Sequence, residues 1–247
     1  MARADQPRAD GGGADEVPAP AASPATGRLD RPRPDELDPT RRGLYDRIVG
    51  GPRARDTSAF DLTDADGRLH GPFNALLLAP EVGDALQELG AALRYRTGLA
   101  DRTRELAILA VAAYHRSAFE WYAHASVARR LGLAEPVLDR VRAGEVPTDH
   151  LDDVEVVVLR TTRELLVSRD LDDPAYERAV AALGQEGLQE LLALVGYYQL
   201  LALLLQVWRT PMPPGAAPAF GPPGTKPPSE PPPDPPSEPP GGPTGRE

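Results

Sequence analysis

Three ionisable side chains, Glu105, Glu120 and His124, stand at spacings that suit proton chemistry. Glu120 and His124 are four residues apart, so on one helix they share a face. Glu105 lies 15 residues before Glu120, which lets one helix end and the next return antiparallel with Glu105 opposite the pair. A carboxylate that orients an imidazole, with a second carboxylate to accept or relay a proton, supplies the parts of general acid–base catalysis. A structural reading of the same spacing stays open. Ser117 and Glu120 match a capping box, Glu105 sits where a helix dipole favours an acid, and His124 is then an ordinary half-buried histidine. As metal ligands, Glu120 and His124 lack an obvious third partner, so neither a metal nor another cofactor is expected.

These residues need helices to hold them. Positions 106–113 are all Ala, Ile, Leu or Val, and a helix apolar on every side is a central one. Asp101 is expected to cap it. The next helix should open at Ser117, run to Arg130 and stop at Gly132. Before them, Pro80 opens a predicted helix with Val82, Leu86, Leu89 and Leu93 on its apolar face; Gly83 and Gly90, seven apart on a neighbouring face, suggest close helix packing. Further helices are predicted over 40–49, 136–143 and 151–167, one from Asp173–Pro174, and a last buried one over 188–208. No convincing strand is found, and the fold class is all-α. His70, His115 and His150 fall in turns or at helix ends and are expected at the surface. Tyr114, Tyr197 and Tyr198 are further pocket candidates, with the core as the favoured place for each.

The ends have a different composition. Residues 1–38 are rich in Ala, Pro, Asp, Arg and Gly without apolar periodicity and are expected to be disordered. Sixteen of the 29 prolines fall in the last 37 residues, which predicts an extended tail over 213–247. The folded domain is therefore placed at 39–212, and deletion of residues 1–38 and 215–247 is expected to leave folding intact. A net charge of −10 argues against nucleic acid and anionic membranes as partners and for a small-molecule substrate. The most apolar stretch, 188–208, is interrupted by Glu190, Gln199 and Gln206, and the N-terminus has no apolar signal segment; a cytoplasmic protein is expected. With no cysteine in the chain, thiolate nucleophiles and disulfide chemistry are excluded.

The segment Arg104-Glu105-Leu106, followed by Ser117-x-x-Glu120-x-x-x-His124 and Ala128-Arg-Arg-Leu-Gly132-Leu133, resembles the carboxymuconolactone decarboxylase family. That superfamily includes the alkyl hydroperoxidase D-like proteins, and the resemblance implies a helical bundle that assembles as a homotrimer or hexamer. Its peroxidase branch carries two cysteines where this chain has Ser117 and Glu120, so thiol peroxidase activity is not expected here. The decarboxylase branch tends to have Glu-x-x-x-His, as in Glu120-Trp-Tyr-Ala-His124. The resemblance implies a cofactor-free lyase with His124 as proton donor, Glu120 orienting it and Glu105 holding or relaying the proton. Arg104 or Arg116 would hold a substrate carboxylate, with Ser117, Trp121 and Tyr122 as further binding candidates. Of Trp121 and Tyr122, one is expected to line the pocket and the other to pack in the core. An isomerase or cyclase on the same residues, or a non-catalytic oligomeric binding protein, is the alternative.

Overall fold

The computed structural model describes residues 27–51 and 60–221. Eight helices succeed one another among them: α1 Pro39–Gly50, α2 Phe73–Leu76, α3 Pro80–Tyr95, α4 Asp101–Tyr114, α5 Ala118–Arg130, α6 Glu135–Arg142, α7 Asp153–Ser168 and α8 Asp173–Val207. The described residues contain no strand beyond the single bridge between Thr63 and Leu69. The all-α expectation is met.

Helix α4 is the axis of the bundle, as its uniform apolar composition predicts. Every residue from Thr103 to Ala112 is buried. One side, through Ile108 and Val111, packs with Val158 and Leu166 of α7 and with Leu191, Leu194 and Tyr198 of α8. The other, through Leu106 and Leu109, packs with Trp121 and Ala125 of α5, Leu138 and Val141 of α6 and Leu159 of α7. At about 1.5–3 kcal/mol for each large apolar side chain taken out of water, these two clusters dominate the stability. A third, smaller cluster joins Leu44, Tyr45 and Ile48 of α1 to Leu69, Phe73, Leu76 and Leu77. Asp101 is the first helical residue of α4 and makes no cap; Ala100 holds the cap position.

Helix α8 is long and apolar enough by composition to cross a membrane, yet its Leu191, Leu194, Tyr198 and Leu201 are core. It breaks at Gly184, where φ is 71° and ψ 172°, so the two closing helices expected from sequence meet at a kink. In α3 the buried face is not the one expected. Gly83, Gln87, Gly90 and Leu93 are buried, whereas Val82 and Leu89 are 60% and 42% exposed. The close approach at Gly83 decides the rotation: a Cβ there would sit 2.3 Å from the Leu76 carbonyl oxygen, so only glycine lets α3 press onto α2.

The folded unit extends past both expected limits. Residues 27–37, assigned to the disordered tail, are pinned: the Arg31 guanidinium donates to the Leu69 and Arg68 carbonyls and to Asp64, and Asn74 donates to the Asp30 carbonyl at 3.0 Å. Beyond residue 212, Phe220 is buried and meets Trp121 edge-on at 5.7 Å. One apolar ring was enough to dock a proline-rich segment that composition alone assigned to solvent. The rest of the two expected tails, 1–26 and 222–247, lies outside the described residues.

Candidate active site

The turn between α4 and α5 sets the site. Arg116 adopts a left-handed conformation, φ 51°, and the Ser117 amide donates back to the Ala112 carbonyl at 2.8 Å, so α5 returns along α4. This return brings His124 against Glu105. The His124 Nδ1 to Glu105 Oε2 distance is 2.6 Å, with both side chains buried. Arg94 of α3 approaches the other Glu105 oxygen at 3.8 Å. Burial acts to raise the Glu105 pKa, but the charge and hydrogen bond of His124, then Arg94 and Arg104, outweigh it and hold the carboxyl below its ordinary value. Glu105 is therefore an anion that accepts the Nδ1–H of His124. That puts Nδ1–H on the Glu105 side and leaves Nε2 as the nitrogen that takes up a second proton, giving the imidazolium, and releases it again.

Glu120 meets a different fate. Its carboxyl is buried and neither oxygen has a hydrogen-bond partner. Burial pushes its pKa up to about 8, and the nearby Ser117 hydroxyl offsets only part of that. Ser117 occupies the cap position of α5 without a side-chain cap bond, so the capping box expected from Ser117 and Glu120 does not form. Glu120 also does not orient His124 as expected; Glu105 takes that role across the helix pair, because its Oε2 lies on the Nδ1 side of the ring.

Both Glu120 and His124 line a cavity of about 70 Å³. Phe119, Ala123 and Tyr95 also line it, with Arg94 as its one arginine among the described residues; Tyr197, Tyr198 and Leu201 of α8 and Phe60, Leu62, Pro72 and Phe73 complete the lining. The His124 ring meets Tyr198 edge-on at 5.1 Å, and Phe60 meets Phe119 edge-on at 5.0 Å. Gly71, at φ +62°, lets the 71–74 loop seat on Phe119, where a Cβ would come within 2.7 Å of the ring. Among the described residues the site is thus an aromatic cleft with one arginine, one buried carboxyl and one carboxylate-held imidazole.

None of the five expected substrate-binding residues lines this cavity. Arg104 is buried but turned to Asp101, 2.5 Å away, and to the Leu99 carbonyl. Arg116 lies over the Phe220 ring. Ser117 is buried at the helix start. Trp121, one position past Glu120 and so about 100° further round the helix, joins the α6 cluster, while Tyr122 is half-exposed; both miss the pocket. Tyr197 and Tyr198 are core residues that also line it, and Tyr114 is 52% exposed rather than core. Among the other histidines, His70 meets the Asp61 carbonyl and His150 lies near Asp149, whereas His115 is half-buried, and burial lowers its pKa against the opposing effect of Gln199 as an acceptor. Arg94 is the residue that sequence reasoning missed. Its signal was present: Gly83, Gln87, Gly90 and Arg94 recur at 4, 3 and 4, one stripe of α3, and glycines on a stripe mark the packed side.

Fold and site together describe an all-α, cysteine-free protein with a buried acid–base constellation. Residues 80–158 match the family model described as "Carboxymuconolactone decarboxylase family". The fold is that of alkyl hydroperoxidase D-like proteins. The core of such a protein from Ralstonia eutropha JMP134, an uncharacterised peroxidase-related protein, superposes with a TM-score of 0.61 at 18% identity, over 78% of this chain and 95% of that one. The debrominase Bmp8, in complex with 2,3,4-tribromopyrrole, superposes with a TM-score of 0.54 at 12% identity over 78% and 94%. A putative antioxidant-defence protein from Agrobacterium tumefaciens gives 0.51 at 20% identity over 57% and 96%. No curated protein matches the sequence. The cysteine-free chain thus carries, over residues 80–158, a segment similar to the carboxymuconolactone decarboxylase family on an alkyl hydroperoxidase D-like fold.

Proposed function

We propose that the protein is a cofactor-free acid–base lyase of the decarboxylase type, acting on a small carboxylic acid or lactone with His124 as proton donor. The observation that carries this reading is the buried Glu105–His124 hydrogen bond at the wall of an aromatic cavity. In the reaction, the bond from carbon to carboxylate breaks, carbon dioxide leaves, and the electron pair remains as an enolate. A C–H bond then forms as the His124 N–H bond breaks, and solvent returns the proton, so one proton is consumed per carbon dioxide released. Glu105 holds the ring and stabilises its charged form through the exchange. Arg94 lies where a substrate anion would meet a cation. The debrominase neighbour holds a small flat ring, and the aromatic walls here suit one too. A thiol-based step is not available to a chain without cysteine.

The direct test is ultraviolet-monitored turnover of γ-carboxymuconolactone, without added metal or thiol, by wild type and by His124→Ala. Turnover by wild type that is lost in a folded variant is the expected result. No turnover by wild type would overturn the substrate assignment. An isomerase is the second reading, favoured by the presence of two proton-bearing groups, Glu120 and His124, in one cavity. Deuterium exchange into a carbonyl substrate without loss of carbon dioxide would favour it.

We further propose a cytoplasmic homotrimer or hexamer. Supporting self-association, Leu192, Leu203 and Val207 of α8 are exposed, as are Val82 and Leu89 of α3. Gly196 is exposed on the same α8 face, and a Cβ added to it would meet nothing within 4 Å, so Gly196→Arg should fold and reduce the assembled mass in light scattering. An unchanged mass would place the interface elsewhere.

A further inference from the structure

We propose that Glu120 is the oxyanion donor of the cavity: its protonated carboxyl gives a hydrogen bond to an enolate or phenolate oxygen, and the substrates are acids activated by a carbonyl group. The inference rests on the cavity being the reaction site and deepens that reading.

The geometry is what points there. Both Glu120 oxygens are buried and neither completes a well-formed hydrogen bond; the Ser117 hydroxyl is the polar group beside them, and Glu120 lines the cavity. An unpaired buried carboxyl costs free energy unless a ligand completes it. The groups around it explain why it does not find a partner in the protein. From α3 come Arg94 and Tyr95; Arg94 lies 3.8 Å from Glu105. From α4 comes Glu105, whose Oε2 is taken by His124. On α5 stand His124 and, at the helix start, Ser117. From α8 come Tyr197 and Tyr198, and the opposite wall of Phe60, Leu62, Pro72 and Phe73 carries no ionisable group. Glu120 therefore faces mostly hydrocarbon, and the raised pKa that burial produces keeps its proton in place through neutral pH.

A carboxylic acid held neutral in an apolar site donates a short, strong hydrogen bond to a developing oxyanion. During decarboxylation, the electron pair released from the broken carbon–carbon bond flows to a carbonyl oxygen, and Glu120 stabilises that oxygen without giving up its proton. His124 then protonates carbon as above. An acid without a carbonyl placed to accept the pair gains nothing from Glu120, which defines the substrate class as β-keto acids and their vinylogous lactone counterparts.

The test uses 4-nitrophenol, a flat chromophoric phenol whose anion mimics the enolate oxygen. The full-length protein is titrated at several pH values from mildly to strongly alkaline, where the phenol is ionised, and binding is read from the phenolate band. The expected result for wild type is an affinity that falls about tenfold per pH unit above about 8 as Glu120 loses its proton. Glu120→Gln, whose amide still donates, should keep its affinity in that range. Absence of phenolate binding, a wild-type affinity independent of pH, or a parallel fall in Glu120→Gln would each overturn the proposal. The wild-type profile decides the matter even if the variant fails to fold. Failure of lactone turnover with this pH signature intact would overturn the lyase reading and leave the oxyanion site standing.

Discussion

Replacing Glu120 by glutamine should stabilise the protein by an amount that grows with pH. The carboxyl ionises near 4.5 in the unfolded chain, whereas burial holds it protonated up to about 8 in the folded one. Between those values the folded state keeps a proton that the unfolded state has released. Stability therefore falls as pH rises, by about 1.4 kcal/mol per pH unit, and levels off above the folded value. Across the full interval from 4.5 to about 8 the loss is roughly 5 kcal/mol. Glutamine has the same shape and cannot ionise, so it removes this slope while adding a pH-independent offset for its own unpaired amide. The stability difference between variant and wild type should widen by roughly 3 kcal/mol between about pH 5.5 and 8.5. At about 2–4 °C per kcal/mol for a chain of this size, that is a widening of about 6–12 °C in Tm. Urea unfolding followed by circular dichroism at both pH values, with equal m-values as the check on compactness, measures it. A difference constant to within about 0.5 kcal/mol would refute the claim that Glu120 is protonated and unpaired in the folded protein.

Other perturbations probe other contacts. Glu105→Ala removes the anion between His124 and Arg94 and should cost roughly 3–5 kcal/mol in chemical unfolding; a loss below about 1 kcal/mol would mean the pair is solvated. Glu105→Gln keeps an acceptor for Nδ1–H but not the charge, and kcat should fall by about 100-fold or more with little change in KM. Gly83→Ala should destabilise by about 1–3 kcal/mol despite its better helix propensity, because the Leu76 carbonyl cannot move aside; a neutral or raised Tm would contradict the close α2–α3 contact. Phe220→Ala should cost roughly 3 kcal/mol, and a chain ending at residue 212 should lose a similar amount, whereas an unchanged Tm would return this segment to the solvated tail.

How far the sequence carried these conclusions depended on the kind of signal. Helix α4 was legible because ten consecutive buried positions leave no room for a polar face. The meeting of Glu105 with His124 was legible because a short turn forces the return of α5, and the glycine, serine and family-like spacings agreed with it. The lining of the cavity was not. Which face of α3 turns inward was settled by backbone contact at Gly83, and a reading that follows large apolar side chains puts Val82 and Leu89 inside and Arg94 out of consideration. Trp121 was misplaced for a related reason: its partner, Phe220, lies 99 positions away in a segment whose proline content suggests no partner at all. Long-range contacts made by one side chain leave no local periodicity to read.

The two carboxylates show why the same residue type takes opposite roles within one site. Glu105 and Glu120 are both buried, so desolvation penalises the anion in each. At Glu105 a hydrogen-bonded imidazole and nearby arginines reverse the penalty, and the stability it contributes is present above the ordinary carboxylate range and lost as pH falls through its lowered value. At Glu120 nothing of comparable strength opposes burial, and its contribution has the opposite sign: present in acid and lost as pH rises towards about 8. An anion that holds the imidazole and a neutral acid that faces the ligand are the complementary states an enolate-forming reaction needs at one pH. Rate profiles can separate them. Glu120 and His124 must each carry a proton to act, so the alkaline limb of kcat/KM should lose its Glu120 part in Glu120→Gln and keep the part that belongs to His124. An alkaline limb unchanged in that variant would move the proton donor for the oxyanion to another group in the cavity.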